Sequence, residues 1–236
     1  MKDWYNNVIT NWKELMSDRK FFMKFVFNFI VCYSIYMLGV RFLVWNRNRP
    51  GVVLDDPIQL LFTPFDFSFP TFLFTYVCIV SFLIYIAARP RDFYYGVRVF
   101  TSVFVARIGF IYLVPLATPS GAILLRDPFL DSAIWGNLPI SNDLFFSGHV
   151  ADICVFIFLC RSNSLRLFMT ACAITVGVMV IWQHVHYTAD VIAAPFFAYA
   201  FYSIFAKAYI QEESFAGFSP AQLGEKIRTI FVSRVR

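Results

Sequence analysis

The chain contains three histidines, His149, His184 and His186, and two of them sit in segments whose residue types and spacing suit phosphoryl chemistry. In His186-Tyr187-Thr188-Ala189-Asp190 a histidine and an aspartate stand four residues apart, which on a helix puts both on one face. The carboxylate can then accept from one ring nitrogen and fix the tautomer, leaving the other nitrogen free to attack. This is the orienting pair of nucleophilic catalysis. In Ser147-Gly148-His149 a histidine follows a glycine at a predicted helix start. There the backbone can approach a ligand closely and unpaired amide groups favour anions. His149 in that position suits a general acid acting on a phosphate-type leaving group. Asp152, three residues on, is either its partner or a satisfied polar residue facing the bundle. His184, two residues from His186, points elsewhere on a continuous helix and reads as structural unless the helix begins after it.

Arg107 is the third element. It lies eight residues before Pro115, which puts it about 12 Å below the expected helix end. A permanently charged, forked donor at membrane depth suits a phosphate oxyanion. The competing reading is a buried ion pair with Asp152 or Asp190.

The elements that must position these residues are dictated by composition. The 236 residues are 59% hydrophobic, 20% aromatic and 15% charged, with 30 phenylalanines and a mean hydropathy of +0.63. About 25% charge is usual in soluble domains, so the chain is too apolar for water and its solvent must be lipid. The net charge of +5 does not argue for nucleic acid, because aromatic-rich spans separate the basic residues. Six apolar stretches approach the roughly 20 residues a span requires: Phe21–Trp45, Thr71–Ala88, Val97–Leu116, Leu144–Cys160, Leu165–Gln183 and Thr188–Ile210. The expected fold is therefore an all-α integral membrane protein with six transmembrane helices and amphipathic interfacial helices at both ends. Residues 1–20 form the N-terminal interfacial segment, 21–210 the membrane domain and 211–236 a cytoplasmic amphipathic tail in which a helix starts near Ser219. The first 20 residues are too polar for a cleavable signal. All five cysteines fall inside spans and read as packing residues.

With six spans, fifteen of the twenty lysines and arginines share the side of the termini, against four on the other side. The positive-inside rule then puts both termini in the cytoplasm. Under this topology Ser147-Gly148-His149 opens the fourth span and His186–Asp190 the sixth, both from the extracytoplasmic face. The loop from Ala117 to Asp143 lies over that face, and Asp66 before the second span reads as a turn residue.

At these residues the chain resembles the superfamily of type-2 phosphatidic acid phosphatases, and within it the sphingomyelin synthase branch. The likeness is carried by Asp143-Leu144-Phe145-Phe146-Ser147-Gly148-His149, by His186-Tyr187-Thr188-Ala189-Asp190-Val191, and by Arg107-Ile108-Gly109 running to a Thr118-Pro119 exit. The phosphatase-type Lys-x6-Arg-Pro motif is absent, which tilts the resemblance toward the synthases. The resemblance implies a six-span bundle and chemistry without metal or other cofactor. It implies His186 as nucleophile, Asp190 as its orienter and His149 as the acid. Arg107, Ser147 and Gly148 would bind the phosphate, with Asp143 and Asp152 in support. The substrates implied are a membrane phospholipid and a lipid alcohol.

Three functions follow as expectations. The first moves a phosphocholine- or phosphoethanolamine-type head group to a lipid hydroxyl such as that of ceramide. The second uses water as acceptor, as a lipid phosphatase or phospholipase C-like hydrolase would. The third, a carrier or haem protein, fits poorly, since bis-histidine ligation would place both histidines nearer mid-span and would not need Asp190.

Overall fold

The computed structural model describes residues 2–127 and 141–215, with side chains through residue 206. Two compact units divide the chain, Met1–Tyr202 and Ser203–Arg236. The described α-helices are α1 Lys2–Ser17, α2 Arg19–Asn46, α3 Ser68–Ala87, α4 Pro90–Leu113, α5 Gly148–Leu159, α6 Asn163–Trp182 and α7 Thr188–Phe215, with a single 3-10 turn at Gln59–Leu61. Among the described residues the only extended pairing is an isolated bridge between Val52 and Leu116. The expected C-terminal helix from Ser219 lies outside the described residues.

Local chemistry explains the helix boundaries. Asp18 caps α2 by accepting from the Lys20 amide at 2.9 Å. Pro90 opens α4, where its missing N–H leaves no helical bond unmade. Asp66, read as a turn residue, accepts from the Ser68 amide at 2.8 Å at the start of α3. α1 folds back on the bundle, where Asn11 donates to Ala88 O and Trp12 to Ala87 O, satisfying carbonyls at the end of α3.

Five helices, α2, α3, α4, α6 and α7, are long and apolar enough to cross a membrane, which makes this a multi-pass membrane protein. The fourth stretch departs from expectation. Only 12 residues, Gly148–Leu159, are helical, about 18 Å of rise against a hydrocarbon core of about 30 Å. The missing turn is the segment 143–147, whose backbone is engaged elsewhere: Phe146 O accepts from Arg107 and the Ser147 amide donates to Asp190 O. Non-helical backbone is tolerated at that depth only when protein covers it. α5 meets this condition, packing against α3, α4 and α6 with Ala151 and Ile153 fully buried. By contrast α2 exposes Phe27, Ile30, Tyr33 and Leu38, as a lipid-facing helix should. α2 and α4 close on one another through Gly39, where the Phe104 ring fills the space a Cβ would need.

Candidate active site

The site is built where α4 and α6 end and α5 and α7 begin. α6 stops at Trp182, and five residues lead to Thr188. Gln183, fully buried, fastens the start of that turn. Its Oε1 accepts from the Phe67 amide at 2.9 Å, and its Nε2 donates to Ser68 Oγ at 3.1 Å and to Ile123 O at 2.8 Å. His184 takes the left-handed backbone conformation, φ 59°, uncommon for a residue with a Cβ. Its ring lies between two carbonyls. Nε2 donates to Gln59 O at 3.1 Å, and Nδ1 is 3.4 Å from Ser120 O. The helix does begin after His184, yet the imidazole is held by backbone carbonyls and does not line the cavity described below.

His186 and Asp190 meet differently from the expected stack along a helix. His186 precedes α7 by two residues, so the pair closes across the helix start. Nδ1 of His186 is 3.5 Å from Asp190 Oδ2, longer than a typical hydrogen bond, and Nδ1 has no hydrogen-bond partner among the described residues. Asp190 also caps its own helix, accepting from the Tyr187 amide at 3.1 Å, half of a capping box. A second carboxylate completes the cap from the loop before α3. Asp56 accepts from the Thr188 amide at 2.6 Å and from Thr188 Oγ1 at 3.1 Å. Burial pushes the Asp56 carboxyl up, but its bonds from Thr188, Ile58 and Gln59 outweigh this and hold it below the usual carboxylate range. The stability this cap contributes is present above the ordinary Asp pKa and is lost as pH falls through the lowered one. Thermal unfolding should therefore lose its Asp56-dependent increment in acid, and Asp56→Asn should flatten that acid limb.

Arg107 is six residues from the end of α4, about 9 Å by helical rise rather than 12 Å, because α4 stops before Pro115. It pairs with neither Asp152 nor Asp190. Its partner is Asp143, with Nη2 2.7 Å from Oδ1, while Nε donates to Phe146 O at 2.8 Å. The guanidinium therefore gathers the non-helical 143–147 segment. Its Nη1 has no partner among the described residues and remains available to an oxyanion. Gly148 permits this close approach. A Cβ there would stand 2.9 Å from Arg107 Cζ and 3.1 Å from Nε, so the glycine accommodates the arginine rather than a ligand directly. Gly148→Ala should displace the guanidinium and cost activity about 100-fold, a change of the size a 1 Å misplacement produces. Measured turnover within threefold of wild type would contradict this packing.

Four of the anticipated residues, Arg107, Asp143, His149 and His186, line one cavity of about 230 Å³. Its walls are largely apolar and include Tyr36, Leu43, Phe72 and Phe104. His149 sits edge-on to Phe72 at 5.4 Å and makes no hydrogen bond among the described residues. Ser147 and Asp190 are buried behind this surface, at 0% and 1% exposure, and the Ser147 hydroxyl has no partner among the described residues. Asp152 lies off the cavity and makes no pair with His149. Residues not anticipated also shape the site. Asp127 lines the cavity and receives Tyr76 Oη at 2.9 and 2.8 Å. Asn142 receives the Thr118 amide and donates to Arg47 O and Arg49 O, tying three loops together. Gln59 donates to His186 O at 2.8 Å. The one signal for these in the sequence is a polar residue inside an apolar loop, as in Ile58-Gln59-Leu60.

Comparison with curated proteins gives no match. Residues 141–208, which carry both histidine segments, match the family model described as PAP2 superfamily C-terminal, and this match supports the type-2 phosphatidic acid phosphatase superfamily.

Proposed function

We propose that the protein is a membrane phospholipid head-group transferase. His186 attacks the phosphorus of a glycerophospholipid, forming an N–P bond as the P–O bond to diacylglycerol breaks, and His149 donates the proton that the departing alkoxide takes up. A lipid hydroxyl, such as that of ceramide, then displaces the phospho-head group from the phosphohistidine, returning its proton to His149. In-line displacement asks mainly for positioning and neutralised oxyanion charge, which Arg107 Nη1 supplies. The observation that carries this reading is that His149, His186 and Arg107 line a single cavity. The superfamily match supports phosphatase or phosphotransferase chemistry on lipids. The basic-residue count supports a site on the extracytoplasmic face, with both termini cytoplasmic.

The rings in the cavity wall support a donor with a cationic head group. Arg107 is paired with Asp143, and the Tyr36, Phe72 and Phe104 rings line the same cavity. A cationic head group meets those rings through cation–π attraction; a phosphomonoester lacks that contact. Tyr36→Leu should therefore lower turnover of phosphatidylcholine relative to phosphatidate about tenfold, equivalent to ~1.4 kcal/mol.

Hydrolysis by the same residues is the second reading, since the family match supports it equally and the acceptor does not change the nucleophile. Purified protein supplied with head-group-labelled phosphatidylcholine or phosphatidylethanolamine, with and without ceramide, separates the two. A labelled phosphosphingolipid formed only with ceramide supports transfer. Soluble labelled phospho-head group regardless of ceramide supports hydrolysis.

A further inference from the structure

The loop before α3 faces two ways. Gln59 is 4% exposed and donates from Nε2 to His186 O, while its own carbonyl accepts from His184 Nε2. Both histidines of the catalytic turn thus hang on one residue. Its neighbours Leu60 and Leu61 are 82% and 74% exposed, and Ile58 and Phe65 are exposed with them. A turn that buries its polar residue and presents its leucines is inverted for water but suits a bilayer.

Its surroundings say what covers the leucines. Ile174, Val178 and Trp182 are exposed at four-residue spacing along the spanning helix α6, a lipid-facing stripe that ends at Trp182. Phe62 packs on Trp182 at 4.9 Å, and Trp182 Nε1 donates to Thr63 O at 3.1 Å. The exposed edge of the loop is therefore continuous with a membrane-facing surface, joined through a tryptophan of the kind enriched at membrane interfaces. Asp56 links the loop to the helix beyond the turn, because the carboxylate that caps Thr188 also accepts from the Ile58 amide at 3.0 Å.

We propose that residues 58–62 form a bilayer-supported strap, and that Gln59 within it is a positioning residue that sets the backbone of His186. The catalytic part of this inference rests on the reading of His186 as nucleophile; the lipid contact and the tie to the turn do not. A strap seated in lipid keeps the Gln59 amide under the His186 carbonyl, so that the ring is presented to the cavity. Without it, the five-residue passage from α6 to α7 loses its bond to His186 O, and the left-handed residue His184 loses one of the two carbonyls that hold its ring.

The test uses the full chain in phosphatidylcholine nanodiscs. A photoactivatable diazirine amino acid in place of Leu61 should cross-link to phospholipid; adducts to protein alone, or none, would overturn the lipid contact. Gln59→Ala should lower kcat about tenfold with KM within twofold, and should speed amide exchange in residues 184–188 without a matching rise in the α6 core. Gln59→Glu supplies a donor only when its carboxyl is protonated, so its activity relative to wild type should climb as pH falls; a flat ratio would overturn the positioning role. Leu60→Asp combined with Leu61→Asp should reproduce the exchange signature with Gln59 intact, and unchanged exchange would refute bilayer support. If wild-type protein turns over no phospholipid, the transferase reading fails by itself, and cross-linking and exchange still decide the strap.

Discussion

In the His186→Ala protein, phospholipid turnover is expected to fall to background while the bundle still assembles. The expectation of intact assembly comes from what holds the turn. The His186 backbone donates to Val180 O at 3.3 Å and accepts from Gln59, and neither bond uses the imidazole. The ring lines the cavity, and its Nδ1 stands 3.5 Å from Asp190 Oδ2. Its removal enlarges an existing cavity and takes away no hydrogen bond among the described residues. Turnover is affected differently, because the imidazole is the nucleophile in the proposed mechanism. A drop of about 10⁴-fold or more is the size seen when a nucleophile is deleted from a concerted set. Size-exclusion elution and helical circular dichroism should match wild type. Full activity in a correctly assembled variant would sink the mechanism.

Asp190→Asn should cost nearly as much, for a subtler reason. The carboxylate has two duties, accepting from the Tyr187 amide and facing His186 Nδ1. An asparagine oxygen can keep the first, so helix α7 retains its cap and stability should change little. Both contacts fall on Oδ2, so the oxygen that keeps the cap faces Nδ1 only as a neutral acceptor, and the negative charge that orients the ring and stabilises the imidazolium formed on attack is gone. The loss expected from removing the orienting charge is about 10³- to 10⁴-fold in kcat, the upper figure being that of the serine-protease aspartate-to-asparagine case. Asp190→Ala would lose the cap as well, so comparing melting temperatures of the two variants separates orientation from capping. An Asp190→Asn enzyme within fivefold of wild type would show that the Asp190 charge does not govern His186.

The sequence disclosed these residues unevenly, for physical reasons. The long helices were legible because twenty or so apolar residues in lipid leave the backbone little alternative to a helix. The shortness of α5 was not. Leu144-Phe145-Phe146 reads as the start of a span, but Arg107 and Asp190, remote in sequence, take the backbone groups a helix would have used. The spacing of His186 and Asp190 announced a pair, although the pair meets across a helix start. The sequence suggested Asp152 and Asp190 as counter-ions for Arg107, while the structure supplies Asp143. Asp143 belongs to an irregular segment, whose approach to α4 no periodicity encodes. Gln59 and Asp56 were least visible. Each sits in a loop where a polar residue is unremarkable, and each gains meaning only when the loop closes on residues more than a hundred positions away.

The central claim is that a phospho-head group passes through His186, and trapping that intermediate tests it most directly. Protein in nanodiscs, exposed briefly to phosphatidylcholine labelled in its phosphate and quenched without a lipid acceptor, should carry label that is stable to alkali and released by acid. The label should map to His186 and be chased into a phosphosphingolipid by ceramide. Turnover that proceeds with no protein-bound phosphate at any quench time, or label that persists in His186→Ala, would contradict the account.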